Sequence, residues 1–305
     1  MHDDQLEISA ATATALIGEQ FPQWRSLPAR PVNATGTVNA IFRVGDRYVA
    51  RFPLQSGDAD AVRRSLEAEA AAAAELAGRT RFATPEPVAL GGPGVGYPLP
   101  WSVQAWLAGS VAADADPGDS VPFALDLAEF IAGVRAIPTG GRAFSGRGRG
   151  GDLRDHDEWM ETCFARSEGL LDVTRLRRMW ATLRDLPRPA GGDVMSHGDL
   201  MPGNLLVTDV EDADRRRLAG VLDVGGLGPA DPALDLVGGW HLLAAGPRRA
   251  LRGALGCDEL EWARGRAWAF EQSMGLVWYY VDSNPVMAAI GRRTLGRLLA
   301  DQLGL

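Results

Sequence analysis

Residues 196–207 read Ser-His-Gly-Asp-Leu-Met-Pro-Gly-Asn-Leu-Leu-Val, and residues 221–223 read Val-Leu-Asp. This pattern sets a carboxylate at Asp199, an amide five positions later at Asn204, and a second carboxylate at Asp223. Phosphoryl transfer from a nucleotide needs these groups, because one acid accepts the proton of the attacking hydroxyl while an amide and an acid hold magnesium. The sequence therefore predicts Asp199 as the catalytic base. It predicts Asn204 and Asp223 as ligands of Mg²⁺, a cation that prefers hard oxygen donors.

The residues around this pattern favour a shaped loop over an ordinary acidic turn. Pro202 and Gly203 predict a tight loop that turns the base and the amide toward one side. Residues 205–207 and 218–222 are apolar and read as two short strands. An acidic loop before a hairpin remains the alternative interpretation, and the strands weaken it. His197 is predicted to brace the loop by hydrogen bonds rather than to take part in the chemistry.

Composition limits the class of protein. The chain has 305 residues, 46% of them hydrophobic, and a formal net charge of −8. An acidic chain is not expected to bind nucleic acid as its main partner, and no apolar stretch is long enough to span a bilayer. The start, Met1–Asp4, has no signal-peptide pattern. We expect a cytoplasmic monomer or dimer whose partner is a small molecule, which the acidic charge would allow to be cationic.

The secondary-structure pattern changes along the chain, which predicts an α+β protein with two lobes. Residues 1–107 carry signals for two helices and for strands, including a hairpin about Gly45 and Asp46. Residues 108–305 are mostly helical outside the motif region, with predicted helices at 121–136, 157–169, 173–184, 231–244, 247–254, 258–282 and 285–303. The glycine- and arginine-rich segment 139–152 is predicted to be either a mobile loop beside the substrate or a plain surface linker.

The motif from His197 to Val207, followed by the stretch from Leu222 to Leu236, resembles the aminoglycoside phosphotransferase family. Weaker similarity to a bacterial branch of that family lies at 262–268 and 279–285. The resemblance implies a bilobal, protein-kinase-like fold with a small β-sheet lobe, a helical lobe and a nucleotide between them. It also implies Mg²⁺-dependent transfer from ATP or GTP to a hydroxyl of an aminoglycoside or other antibiotic. A kinase of a metabolite alcohol is the alternative within the same chemistry.

The same resemblance assigns nucleotide-binding residues in the first lobe. They are Gly36, Thr37 and Asn39 in the loop over the phosphates, Arg51 on the phosphates, Glu69 as its helix partner, and Gln104 and Trp106 in the hinge. Glu67 is the second choice for the helix partner. The chain contains no lysine, so arginine stands where such kinases carry one. Arginine can bind phosphate through two N–H groups, but its planar group differs from an ammonium. A nucleotide-binding pseudokinase with a scaffolding or sensing role is therefore the alternative function.

Residues for the acceptor are predicted from one helix. Glu271, Trp278 and Asp282 share a face of the helix predicted over 258–282, and two acids beside an aromatic ring would suit an aminated sugar. Trp240 and His241 are further predictions for the acceptor. The alternative is that Trp278 belongs to the core and that both acids lie on the surface.

Two acids after the metal motif are predicted to be structural. Asp231 and Asp235 match family positions behind Asp223, and both are expected to brace the site. Asp231 lies near the predicted start of a helix, where its side chain would cap the first backbone N–H groups.

Overall fold

The computed structural model describes residues 6–32 and 38–301, which form two compact units of α+β structure. The first unit comprises the described residues of Met1–Ala77 together with Ala83–Ala108 and Leu222–Gly225. The second comprises Gly78–Phe82, Gly109–Val221 and the described residues from Gly226 onward. Within these ranges, no helix combines the length and the apolarity needed to cross a membrane.

The first unit is built on one antiparallel sheet. Its elements are α1 (Ala10–Gln20), β1 (Ala29–Pro31), β2 (Asn39–Val44), β3 (Tyr48–Pro53), α2 (Ala59–Leu76), β4 (Pro87–Gly91) and β5 (Trp101–Ala105). The strand order is β1-β2-β3-β5-β4. The predicted hairpin about Gly45 is confirmed, since β2 and β3 pair across it and the φ of Gly45 is +56°. The short strand β1 was not predicted, because three residues ending in proline carry no alternating pattern.

Aromatic side chains fill the core of the first unit. Phe52 on β3 and Trp101 on β5 are fully buried and stack with 4.7 Å between ring centroids. A Cβ atom at Gly91 would lie 2.1 Å from the Trp101 ring, so only glycine allows strand β4 to pass there. The indole N–H of Trp101 donates to the Gly92 carbonyl at 3.0 Å. This packing holds β4, β5 and β3 in one layer.

The second unit consists of helices around two small sheets. Its helices are α3 (Val121–Arg135), α4 (Asp157–Arg166), α5 (Val173–Leu183), α6 (Val237–Leu242), α7 (Ala245–Leu255), α8 (Glu259–Tyr279) and α9 (Pro285–Asp301). Its strands are β6 (Ser110–Val111), β7 (Val194–Ser196), β8 (Leu205–Val207), β9 (Leu218–Val221) and β10 (Gly228–Ala230). The sheets are β6-β8-β9 and β7-β10. The two strands predicted around the motif are thus present as β8 and β9.

Several predicted helices in the second unit have wrong boundaries; the one predicted over 157–169, for example, ends at Arg166. The helix predicted over 231–244 begins only at Val237. The Asp231 carboxylate accepts the Ala233 N–H and thereby holds the residues just after Asp231 in a turn. The helix predicted over 258–282 ends at Tyr279, so Asp282 lies in the turn beyond it. Asp231 therefore caps a turn, not the helix that follows.

Two short segments cross the predicted division after residue 107. Residues 78–82 belong to the second unit, where Arg81 donates to Asp126 and Glu129 on α3 at 2.6 and 2.7 Å. Residues 222–225 belong to the first unit. A local composition pattern does not reveal either case, because both depend on contacts between residues far apart in the sequence.

A buried ion pair organises the second unit around α8. Arg264 and Asp231 have side chains with 0% exposure, and the Arg264 Nε atom lies 2.6 Å from Asp231 Oδ2. The same guanidinium donates to the carbonyls of Leu186 and Gly151 at 2.7 and 3.0 Å. The Trp268 indole N–H also donates to Asp231 at 2.9 Å. One arginine therefore fixes three distant pieces of chain, and it satisfies its own buried charge in doing so.

Removing this arginine is expected to destabilise the protein strongly. Arg264→Met should lower the free energy of unfolding by about 3–5 kcal/mol, because it leaves the Asp231 carboxylate buried without a counter-charge. Chemical denaturation measures the change. Arg154→Met is the matched control, since the Arg154–Asp185 pair is half exposed and should contribute less than about 1 kcal/mol. Equal losses in the two variants would contradict this account of the buried pair.

Candidate active site

The loop that carries Asp199 is fixed by the buried carboxylate of Asp235. Asp235 Oδ2 accepts the His197 N–H at 2.8 Å, and Oδ1 accepts the Gly198 N–H at 2.9 Å and the Ser196 hydroxyl at 2.8 Å. The side chain of His197 is also buried, and its Nδ1 accepts the Asp199 N–H at 3.3 Å. These contacts agree with the bracing roles predicted for Asp235 and His197. They fix the backbone immediately before Asp199.

The Asp199 carboxylate is held by three side chains and keeps 40% exposure. The Asn204 amide donates to Oδ2 at 3.0 Å and to the Asp199 carbonyl at 2.9 Å. Gln272 on α8 and Arg149 donate to Oδ1 at 2.9 and 3.0 Å. Asp199 and Asn204 therefore lie together, as the motif predicts. Gln272 and Arg149 were not anticipated as partners of the base.

A chain of hydrogen bonds runs from Asp199 into the interior. An ionised carboxylate only accepts, so the Gln272 amide must turn its nitrogen to Asp199 and its oxygen to His241 Nε2, 3.0 Å away. His241 must then carry its proton on Nε2. Its Nδ1 lies 3.0 Å from the Thr294 hydroxyl, which is also 2.9 Å from the Ile290 carbonyl. Burial lowers the pKa of His241 to about 4. The neutral ring thus orients Gln272 and, through it, Asp199.

The acceptor residues predicted on α8 do not form one exposed face. Glu271 is 4% exposed, and its carboxylate lies 3.0 Å from Nδ1 of His156. Burial alone would lower the pKa of His156, but the hydrogen bond and charge of Glu271 outweigh it and raise that pKa. Trp278 is half-buried, and Asp282 lies beyond the helix. Trp240 is fully buried. The burial of Glu271 contradicts the alternative in which both acids lie on the surface, whereas the predicted contact of Glu271 with the acceptor stays a prediction.

In the first unit, Arg51 on β3 forms an ion pair with Glu69 on α2. Both side chains are about 15% exposed, whereas Glu67 is exposed to solvent. Gln104 on β5 also donates to Glu69, at 3.1 Å. Asp223 lies 3.9 Å from Arg51. The choice of Glu69 over Glu67 therefore agrees with the geometry, and the solvated-face alternative for Glu69 does not.

Two backbone N–H groups of the predicted hinge, those of Ala105 and Trp106, are hydrogen-bonded within the protein. The Ala105 N–H donates to the Glu86 carbonyl at 2.9 Å, and the Trp106 N–H donates to the Arg47 carbonyl at 2.8 Å. The Trp106 ring lies 4.6 Å below the Arg43 guanidinium. A purine at this edge would have to use other backbone groups. Asn39 begins β2, while Gly36 and Thr37 lie outside the described residues.

The proposed magnesium ligands fit a hard cation individually. In the described part of the chain, no three His, Cys, Asp or Glu side chains cluster as a metal site. The Asn204 amide nitrogen is engaged by Asp199, which leaves its carbonyl oxygen as the end that can bind a cation. Asp223 is half exposed and has a φ of +57°, a strained conformation that is found mostly at functional sites. Magnesium takes one or two such oxygens beside substrate phosphates and water.

Sequence reasoning missed the residues that come from other segments. Arg149 precedes Asp199 by fifty positions and lies in a segment read as a loop or linker. Gln272 directly follows the predicted Glu271, but it points about 100° away around the helix. The glycine-arginine pattern was the only signal near Arg149. Nothing in that pattern indicates which carboxylate the arginine would contact.

The pKa of His241 leads to a test by stability. A histidine held neutral when folded binds fewer protons than the unfolded chain between about pH 6.5 and pH 4. The native protein should therefore lose up to roughly 3 kcal/mol of unfolding free energy over this range through His241 alone. Glutamine in the His241→Gln variant cannot titrate. The difference in unfolding free energy between the native protein and this variant should therefore narrow as pH falls. A constant difference from pH 7 to pH 4 would contradict the assignment.

Comparison with known proteins places this geometry in a family. Residues 30–268 match the phosphotransferase enzyme family. No curated protein sequence matches the chain. The fold resembles that of a GDP complex of aminoglycoside 2'-phosphotransferase-IIIa, with a TM-score of 0.71 and 20% identity over 97% of this chain and all of that one.

Two further solved structures share the fold. Macrolide 2'-phosphotransferase MphH from Brachybacterium faecium aligns with a TM-score of 0.59 and 20% identity over 92% of this chain and 97% of that one. A streptomycin-ATP ternary complex of APH(2")-IIa aligns with a TM-score of 0.56 and 15% identity over 95% and 97% of the two chains. At these identities the likeness establishes the fold. The family match covers most of the chain, and the protein belongs to the phosphotransferase enzyme family.

Proposed function

We propose that the protein is a magnesium-dependent kinase that transfers the terminal phosphoryl group of ATP or GTP to a hydroxyl of a small molecule. The observation that carries this proposal is the Asp199 carboxylate. It is fixed by Asn204, Gln272 and Arg149 and still 40% exposed. A protein that only binds nucleotide has no need of a rigidly oriented, accessible base beside the metal-ligand amide.

Asp199 would act on the acceptor. An ionised carboxylate offers about four acceptor positions, and its described partners take two on Oδ1 and one on Oδ2. The position left on Oδ2 would orient the acceptor hydroxyl and receive its proton. The hydroxyl oxygen forms a bond to the terminal phosphorus as the bond to the bridging oxygen breaks. The products are a phosphate ester and a nucleoside diphosphate.

The other proposed residues would act on the donor. Arg51, aligned by Glu69, would bind phosphate oxygens through its guanidinium. Asn39, Gln104 and Trp106 remain predictions for the nucleotide, as do Gly36 and Thr37. Asn204 and Asp223 would each offer an oxygen to Mg²⁺, which neutralises charge on the transferring phosphates. The neighbouring enzymes support a nucleotide donor, since one is a GDP complex and another contains ATP.

The acceptor class rests on the neighbours. Those enzymes act on or bind antibiotics, including macrolides and streptomycin, so an antibiotic hydroxyl is the first class to test, with a metabolite alcohol as the alternative. Of the residues predicted to contact the acceptor, Trp278 and Asp282 remain proposed for that contact. Trp240 and Glu271 are buried, and their contact with the acceptor stays a prediction. A cytoplasmic location, where ATP and GTP are present, stays a prediction.

The role of the base can be tested by one substitution. Asp199→Asn should keep nucleotide binding, measured as a thermal shift with Mg-ATP and Mg-GTP, and lose phosphoryl transfer by at least about a hundredfold. Transfer is measured by mass spectrometry as the gain of one phosphoryl group across a panel of antibiotics and alcohols. The control is Asp185→Asn, whose carboxylate pairs only at the surface with arginines. Full transfer by Asp199→Asn would overturn the assignment.

The same panel separates the kinase from the pseudokinase. The pseudokinase alternative is motivated by Arg51 and the absence of lysine. It is favoured over the kinase if the native protein binds nucleotide but phosphorylates no member of the panel. Transfer to any member excludes it.

The partner of Arg51 offers a second test with a matched control. Glu69→Gln removes the charge that aligns the guanidinium, and we expect kcat/KM for the nucleotide to fall about tenfold or more. Glu67→Gln lies two positions away on the same helix, is exposed and should leave kcat/KM unchanged. Steady-state kinetics with varied nucleotide measures both. Equal effects at the two positions would contradict the proposed phosphate clamp.

A further inference from the structure

The segment that precedes α4 is basic and is fixed at several points. Between α3 and α4, residues 136–156 contain four arginines, at positions 142, 147, 149 and 154, against the two acids Asp152 and Asp155. The Phe144 N–H donates to Asp193 at 2.8 Å, the Gly150 carbonyl accepts the Asp231 N–H at 2.9 Å, and the Gly151 carbonyl accepts from Arg264. The backbone around Arg149 is therefore tied to the buried Arg264–Asp231 pair, unlike the loose linker the sequence allowed.

Arg149 reaches the catalytic carboxylate from this segment. Its Nη2 atom lies 3.0 Å from Asp199 Oδ1. The loop from Asp199 to Asn204 contains no cation of its own, and the other described donors to the carboxylate, Asn204 and Gln272, are neutral. Arg149 consequently balances the charge of the base. It contacts Oδ1, the neighbour of the Oδ2 oxygen to which the acceptor hydroxyl is assigned.

The guanidinium has unused binding capacity. Arginine has five N–H donors, and in the described part of the chain the hydrogen bond of Arg149 goes to Asp199. Its Nε atom is buried without a partner, while the side chain as a whole is 27% exposed. Buried polar groups without partners are uncommon in native proteins. An anionic group arriving with the acceptor would accept from this guanidinium.

Glu271, one of the two acids predicted to attract a cationic acceptor, is already neutralised. Glu271 is buried against His156, and the raised pKa of His156 favours the charged pair. Asp199 is matched by Arg149, and Arg147 is exposed two positions away. The pairs Glu271–His156 and Asp199–Arg149 carry no surplus negative charge, and Arg147 adds positive charge. A polyamine such as an aminoglycoside gains no attraction from these groups.

We propose that Arg149 determines acceptor specificity, and that the acceptor carries a carboxylate or phosphate group close to its reacting hydroxyl. The proposal rests on the proposed kinase function and narrows its substrate class. Arg149 would hold the anionic group through its remaining N–H donors and keep Nη2 on Asp199. The acceptor would thereby present its hydroxyl to Oδ2 of the base.

The test uses acceptors that differ only in charge. Gluconate, sorbitol and 1-amino-1-deoxysorbitol share one polyol chain with an anionic, a neutral and a cationic end, and sorbitol 6-phosphate separates phosphate from carboxylate. Glucuronate, glucose and glucosamine form a second series, and kanamycin is the polycation. We expect kcat/KM to be about tenfold or more higher for an anionic member than for its neutral and cationic counterparts.

Three variants assign the preference to Arg149. Arg149→Gln should abolish the preference for anionic acceptors, Arg149→Lys should keep part of it, and Arg147→Gln should leave it unchanged. The measured quantity is the ratio of kcat/KM for the anionic and neutral members, because disturbing Asp199 alone would slow every acceptor equally. The thermal shift with Mg-ATP checks that each variant is folded and binds nucleotide.

Each outcome bears on a different claim. If neutral or cationic members react as well as anionic ones, the charge proposal is wrong while the kinase function stands. If Arg149→Gln slows all members by the same factor, Arg149 only positions the base, and the specificity proposal is overturned. If the native protein transfers to no member of these series or of the antibiotic panel, the proposed function fails, and this inference fails with it.

Discussion

The placement of Asp199, the proposed catalytic base, depends on one buried carboxylate, Asp235. It accepts two successive backbone N–H groups and a hydroxyl immediately before Asp199. Asp235 is almost completely buried, and an acid in such surroundings is stable only when its oxygens are fully hydrogen-bonded. The requirement is mutual, because the N–H groups of a tight loop also need partners. The loop therefore has little freedom, and a base that must face a reacting hydroxyl within hydrogen-bonding distance benefits from that rigidity.

The chain contains no lysine, so arginine takes the places where a lysine could stand, and its planar group with five donors shapes the structure. Arg264 links three segments to α8 while it neutralises Asp231. Arg51 pairs with Glu69, and Arg149 pairs with Asp199. An ammonium could match each charge, but it could not bind several carbonyl and carboxylate oxygens in one plane. The replacement of lysine at position 51 thus belongs to a chain-wide pattern and does not single out a lost function.

Much of the fold and part of the site could be predicted from the sequence. The hairpin about Gly45 and the strands β8 and β9 follow from local signals, and the motif predicts that Asp199 and Asn204 lie together. Errors arose where tertiary contacts override local signals. The chain from Asp231 to Leu236 has a helical composition, but its acid is drawn into a buried ion pair, so the helix starts later. Glu271 has the spacing of a surface acid, but a histidine from another segment buries and pairs it.

The sequence alone determined the residue types and their order: two acids and an amide at spacings that suit phosphoryl transfer, in a chain of this family. Such information is local, because a few neighbouring residues set both the loop geometry and the type of ligand. The tertiary structure decided which charged and hydrogen-bonding groups surround Asp199. It brought Arg149, Gln272 and His241 to Asp199 from distant positions, and it neutralised Glu271. The reason is physical, since charge pairing and burial act through space and depend on which segments pack together, a relation that the order of residues along the chain does not display.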